Sequence, residues 1–60
     1  MMDAAFVVQS GDVQGTGQAL LSLIELCDTK RAAVRSVLTV EAPHSAAVYD
    51  VVVTRRTDRQ

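Results

Sequence analysis

The 60-residue chain is poor in the residues on which disulfides, metal sites and base-stacking surfaces depend. It has one cysteine, one histidine, one proline and no tryptophan, and its aromatic residues are Phe6 and Tyr49. A single cysteine, Cys27, excludes an internal disulfide. A structural zinc site that used His44 would need carboxylates among its other ligands. We therefore expect no metal site and no cofactor.

Charge of one sign and long apolar runs are also lacking. The chain has six basic and seven acidic residues, which gives a formal net charge of −1. A nucleic-acid reader usually has a clearer basic excess and more aromatic residues. A membrane span needs roughly 20 apolar residues, and a signal peptide needs a basic start before an apolar core. We expect a soluble, cytoplasmic protein with neither nucleic acid nor membrane as a partner.

The length predicts one domain with a small free energy of unfolding. A domain of this size buries only roughly 60% of the surface that its unfolded chain exposes. Small domains usually compensate with disulfides, a metal or a partner subunit. Since the first two are not expected here, the sequence favours self-association.

Hydrophobic periodicity divides the chain into four elements. The expected elements are a strand at residues 4–9, a helix at 17–29, strands at 34–41 and 46–54, and a tail at 55–60. Leu20, Leu23, Ile24 and Cys27 fall on one stripe of the helix at 100° per residue. Thr16 is a residue type that can cap the start of this helix.

The order of the elements predicts an α+β fold, a two-layer β-α-β-β unit with one helix on one face of a three-stranded mixed sheet. A strand-helix-strand unit makes its two strands parallel. The short connection at residues 42–45 predicts an antiparallel hairpin of the second and third strands. The third strand is apolar on both faces, which favours the central position and the sheet order 1-3-2.

The third strand is the most apolar segment, because valines at 48, 51, 52 and 53 leave little polar surface on either side. Strands of this kind are covered on both faces, yet so short a chain has one helix to cover them. If Val48 and Val52 face the helix, the other face needs a cover from a second copy or another protein. The residues expected at that interface are Leu21, Val37, Tyr49, Val51 and Val53. The alternative is that the C-terminal tail folds over the sheet.

Few residues suggest catalysis. Gly11, Gly15 and Gly17 lie between a strand and a helix, but their spacing matches neither a dinucleotide fingerprint nor a P-loop, so a flexible connection is the simpler interpretation. Cys27 lies on the apolar stripe and is expected in the core, far along the chain from His44. We expect no catalytic residue.

Charged residues near the third strand are candidates for partner binding. Asp50 is the one charge in that strand. It is expected to pair with Arg35 or another basic residue, with displacement to a strand end or a place in an interface as the alternatives. Arg55, Arg56 and Arg59 follow the strand and are expected to be solvated, where they also oppose aggregation. The candidate partner-binding residues are Asp50, Arg35, Arg55 and Arg56.

Two resemblances to known families are partial. The length and the β-α-β-β order are similar to those of small oligomeric tautomerases, which act through an amino-terminal proline. The chain starts Met1-Met2-Asp3 and its proline is Pro43, so this motif is missing. The segment Ala4-Ala5-Phe6-Val7-Val8 loosely resembles the first strand of some phage-encoded anti-CRISPR inhibitors.

These observations favour a non-enzymatic protein–protein interaction module. It is expected to be a homodimer that occludes or binds a larger protein partner, as a phage- or plasmid-type inhibitor would. One alternative is a small oligomeric enzyme in which Asp50, Tyr49 and arginines converge at a subunit boundary. Another is a nucleic-acid-binding dimer that uses the arginine-rich C-terminal end.

Overall fold

A computed structural model describes residues 2–56, and it has the expected α+β architecture of one helix on a three-stranded mixed sheet. The elements are β1 (Met2–Gln9), α1 (Val13–Lys30), β2 (Val34–Ala42) and β3 (Ser45–Val53). Each strand lies within two residues of its expected bounds, whereas α1 begins four residues before the expected start at residue 17. The part of the tail at residues 57–60, including Arg59, lies outside the described residues.

The turn between β1 and α1 explains the early start of the helix. Gly11 has a φ of 83°, in the left-handed region that glycine enters without strain. The next residue, Asp12, is the N-cap, and its Oδ1 accepts a hydrogen bond from the backbone N–H of Gly15 at 2.9 Å. Because this carboxylate satisfies a first-turn amide, Asp12 caps the helix and Thr16 lies inside it.

The sheet order is β1-β2-β3, which corrects the expected order 1-3-2. β2 pairs in parallel with β1 and antiparallel with β3, so β2 is the central strand. The loop of the hairpin is only Pro43-His44, between the paired residues Ala42 and Ser45. So short a loop places β3 next to β2, and the helical crossover has already placed β1 on the other side of β2. The apolar β3 is therefore an edge strand.

The core lies between α1 and the end of the sheet where β2 begins. Its buried centre consists of Leu23, Cys27 and Val34. The partly buried residues packed on it are Ala4, Phe6, Leu26, Val51 and Val53. Ala19 and Val8 are also buried, nearer the hairpin end. Within residues 2–56, no helix is long and apolar enough to cross a membrane.

Candidate interaction surface

The side of the sheet that points away from α1 has no covering layer in the described part of the chain. Side chains alternate between the two faces along each strand. Val34 and Val53 are cross-strand partners that pack in the core, so their face of the sheet is the helix side. The opposite side displays four valines that are 42–65% exposed. They are Val7 of β1, Val37 of β2, and Val48 and Val52 of β3. We call this four-valine surface the open sheet face.

The expected facing of β3 was wrong. Val51 lies opposite Ser36 and Val53 opposite Val34, and both β2 residues are fully buried under the helix. Cross-strand partners share a face, so Val51 and Val53 belong to the core side. An aspartate at position 51 would therefore disturb the core before it disturbed any interface.

The other expected interface residues are distributed over three parts of the surface. Val37 lies on the open sheet face, whereas Tyr49 lies on the helix side and is 54% exposed. Leu21 is exposed on the side of α1 opposite the buried Leu23. The sequence analysis missed Val7, Val48 and Val52, although the pairing of Val52 with Arg35 in the hairpin could have assigned its face.

Charged side chains lie beside and between the valines of the open sheet face. Asp3 lies opposite Arg35 in the parallel pair, and Asp50 lies opposite Val37. At the hairpin end, Gln9 Nε2 donates to Glu41 Oε1 at 3.1 Å. Among residues 2–56, Asp50 takes part in no ion pair, so the expected pairing with Arg35 is not formed. Because Asp50 is exposed, its carboxylate keeps its hydration on the edge strand.

A shallow cavity of about 530 Å³ lies where α1 ends and β3 leaves the sheet. Its lining includes Arg31, Thr54 and the pair formed by Arg55 Nη1 and Asp28 Oδ1 at 3.3 Å. Both members of this pair are exposed to solvent, and such pairs contribute little to stability. Arg55 is thus held by an acidic neighbour in its own chain, and Arg56 follows it at the end of the described residues.

The residues with nucleophilic or anion-binding chemistry do not form a site. Gly15 and Gly17 are helical, and the backbone N–H of Gly15 already donates a hydrogen bond to the Asp12 carboxylate. The glycines therefore form no phosphate-binding loop. Cys27 is buried at one end of the sheet, whereas His44 lies in the loop at the other end of β2. In residues 2–56, no three His, Cys, Asp or Glu side chains are grouped so that they could hold a metal ion.

The two flanks of α1 differ in polarity. Above β1, a groove of about 240 Å³ is bordered by the polar Gln18 and Ser22. On the β3 side, a groove of about 290 Å³ is bordered by Ile24 and Val53, and by Asp28, Thr54 and Arg55 where β3 leaves the sheet. Leu20 lies one turn before Ile24 on the same flank, and these two side chains are 43% and 46% exposed. We call Leu20 and Ile24 the apolar flank of α1.

Comparisons with known proteins give no functional assignment. The chain matches no protein-family model, no curated protein and no solved structure. The functional argument therefore rests on the surfaces described above.

Proposed function

We propose that the protein is a non-enzymatic interaction module that forms a homodimer and binds a larger protein through the open sheet face. The observation that supports this most directly is the set of four exposed valines on one side of a sheet with one helical layer. Contiguous apolar patches rimmed by polar residues are typical of protein-binding surfaces. An inhibitor that acts by surface occlusion would use a patch of this kind.

The chemistry of the patch favours a protein partner over a nucleic acid. The face carries aliphatic side chains, and its charged residues include Asp3, Glu41 and Asp50 beside Arg35, with Asp50 between Val48 and Val52 on β3. A phosphate backbone would be repelled by these acidic side chains, since nucleic-acid affinity depends on neutralising phosphates with basic side chains. An apolar protein surface would instead be desolvated together with the valines.

The arrangement of β3 argues against a catalytic site within one chain. Tyr49 lies on the helix side of the strand and its neighbour Asp50 on the open sheet face. One cleft of a single protomer therefore does not contain both side chains. An enzyme of the kind considered above would need a second chain to bring a complementary group to one of them.

A paired substitution tests the open sheet face. Val7 and Leu21 are both exposed aliphatic residues, but Leu21 lies on the outer side of α1. We expect Val7→Asp to weaken partner binding at least tenfold, because the charge would have to be desolvated in the contact. Leu21→Asp should change the affinity less than twofold.

The partner is first captured from a lysate on the immobilised chain, identified by mass spectrometry and purified. Its affinity for the wild type and both variants is then measured by calorimetry at two salt concentrations. Equal binding by Val7→Asp and the wild type would refute the assignment of this face. Loss of binding on raising the salt, with nucleic acid in the captured material, would favour the nucleic-acid alternative.

A further inference from the structure

The outer edge of β3 is the part of the molecule whose chemistry is least consistent with exposure to solvent. No strand of the described chain pairs with this edge. β3 contains a single charge, Asp50, and neither lysine nor proline, which are the usual residues that keep an edge from pairing. Its unpaired backbone groups can therefore hydrogen-bond to another strand.

The apolar flank of α1 lies above the same edge. Ile24 borders a groove beside β3, and Leu20 lies one turn before it on the same flank of α1. Both are about half exposed, and Tyr49 is half exposed on the helix side of the strand. The equivalent surface above β1 presents Gln18 and Ser22. The half-exposed aliphatic side chains of α1 thus lie on the side of the molecule that ends at an open strand, next to the Asp28–Arg55 pair.

We propose that a second copy of this chain pairs with the first through β3, antiparallel, so that two three-stranded sheets become one of six strands. The proposal deepens the homodimer of the proposed function, on which it rests, by specifying the surface that joins the copies. A two-fold axis perpendicular to the sheet places both helices on the same face. The apolar flanks of the two helices then face each other above the axis.

Charge and strand length select the register. A two-fold axis passes through a residue that lies opposite its own copy, and an axis at Asp50 would put two carboxylates side by side, which is destabilising. An axis at Tyr49 pairs all nine residues of Ser45–Val53, since Tyr49 is the midpoint of β3. It puts Asp50 opposite Val48 of the second copy. The two tyrosines become a cross-strand aromatic pair, which is a favourable contact.

The geometry also predicts how tightly the copies associate. Neighbouring strands are about 4.8 Å apart, so β2 of one copy and β2 of the other are about 14 Å apart. Helices that lie over these two strands are therefore beyond the 8–10 Å of direct helix packing. Leu20, Ile24 and Tyr49 from both copies line the space between the helices. With nine strand residues and two helix residues per copy, the contact is smaller than the 20–30 residues a side of a standard interface. We expect a micromolar dissociation constant.

Pairing of this kind would extend the open sheet face. Val48 and Val52 lie on that face of β3, so the open sheet faces of both copies lie side by side across the axis, where Val48 of each copy lies opposite Asp50 of the other. The partner-binding surface then doubles in width, which agrees with occlusion of a larger protein. Val7 lies on β1, two strands from the axis, so Val7→Asp tests the partner surface without touching the pairing of the copies.

Disulfide trapping tests the register. Cβ atoms of directly opposite residues are about 4.5–5.5 Å apart, within reach of a disulfide after small adjustments. Tyr49→Cys should therefore cross-link to its own copy under mild oxidation, at least tenfold faster than Ala47→Cys. The two copies of Ala47 would lie about 14 Å apart along the strands, although Ala47 is exposed on the same face as Tyr49. The wild type, in which Cys27 is buried, measures the background.

A mixed experiment covers the case in which Tyr49→Cys does not fold. Val48→Cys and Asp50→Cys should cross-link with each other when mixed and much more slowly alone, because residue 48 of one copy lies opposite residue 50 of the other. The mass of the wild type in solution is measured in parallel by light scattering over a range of concentrations. Selective trapping at these positions, with a dimer mass, would establish the β3 pairing.

The other outcomes separate this inference from the proposed function. A dimer mass with equal trapping at 47 and 49, or with none, would refute pairing through β3 and leave the homodimer itself standing. A monomer mass at several hundred micromolar, with no selective trapping, would refute both the pairing and the homodimer. Binding of a partner through the open sheet face would still be decided by Val7→Asp.

Discussion

Ser36 is a polar residue at a position that the fold reserves for apolar side chains. It is fully buried in β2, opposite Ala4 and Val51, and its Oγ has no hydrogen-bond partner among residues 2–56. A buried hydroxyl without a partner costs about 1–3 kcal/mol. We therefore expect Ser36→Ala to raise the free energy of unfolding by about 1 kcal/mol, since alanine fits the same space without the polar group.

The measurement is urea unfolding at a fixed protein concentration, because dimerisation makes stability depend on concentration. Ser10→Ala is the matched control, since Ser10 is exposed in the turn after β1 and should change stability by less than about 0.5 kcal/mol. A lower unfolding midpoint for Ser36→Ala, at unchanged slope, would mean that the hydroxyl has a stabilising partner in solution.

Single residues also show where prediction from sequence stops. Leu23 and Cys27 of the predicted stripe are buried as expected, because a helix repeats every 3.6 residues and only one side can be buried. The other two stripe residues, Leu20 and Ile24, are 43% and 46% exposed. β3 has valines on both sides, so its own pattern could not tell which face meets the helix. The face of Val51 is decided by its β2 partner Ser36, a polar residue that gives no hydrophobic signal.

At the level of the helix, two glycines of the first turns differ in what a methyl group would meet. At Gly17 an added Cβ has open space, so alanine should stabilise the helix by about 1 kcal/mol. At Gly15 the Cβ would collide with the carboxylate of Asp12, the cap of the helix. Loss of a cap costs about 0.5–2 kcal/mol, which cancels or exceeds the gain from alanine.

We expect thermal unfolding to show a rise of about 4–8 °C for Gly17→Ala and no rise, or a fall, for Gly15→Ala. A double-mutant cycle with Asp12→Ala isolates the collision, because the cost of Gly15→Ala should disappear when the cap is already absent. Equal effects of the two glycine substitutions would show that the contact between Asp12 and Gly15 does not hold the helix start.

The arrangement of the strands was predictable in part. The helix between two strands and the short hairpin connection correctly gave the two-layer β-α-β-β unit. The strand order failed because continuous apolarity was taken to mean a central strand. β2 is central although it carries Arg35 and Glu41, since their side chains reach solvent on the open sheet face. Burial of one face is sufficient for a central strand when no second layer covers the sheet.

For the whole molecule, the contrast between the two sides of α1 gives a test of association that does not involve the strands. Leu20 is 43% exposed on the apolar flank, and the proposed dimer would bury this remainder in both copies. Full burial of a leucine is worth about 1.5–3 kcal/mol, so the two copies together would lose about 2 kcal/mol of association energy in Leu20→Gln. We expect the dissociation constant to rise about 30-fold.

The control is Ser22→Gln, which introduces the same side chain two residues away on the polar flank above β1. Sedimentation velocity over a range of concentrations gives both dissociation constants, and circular dichroism verifies that the helix persists. We expect the control to dissociate like the wild type. Equal weakening of association by the two variants would point to loss of helix stability. An unchanged dissociation constant for Leu20→Gln would place the contact between copies away from this flank, because the substitution adds a polar amide where the proposed dimer excludes water.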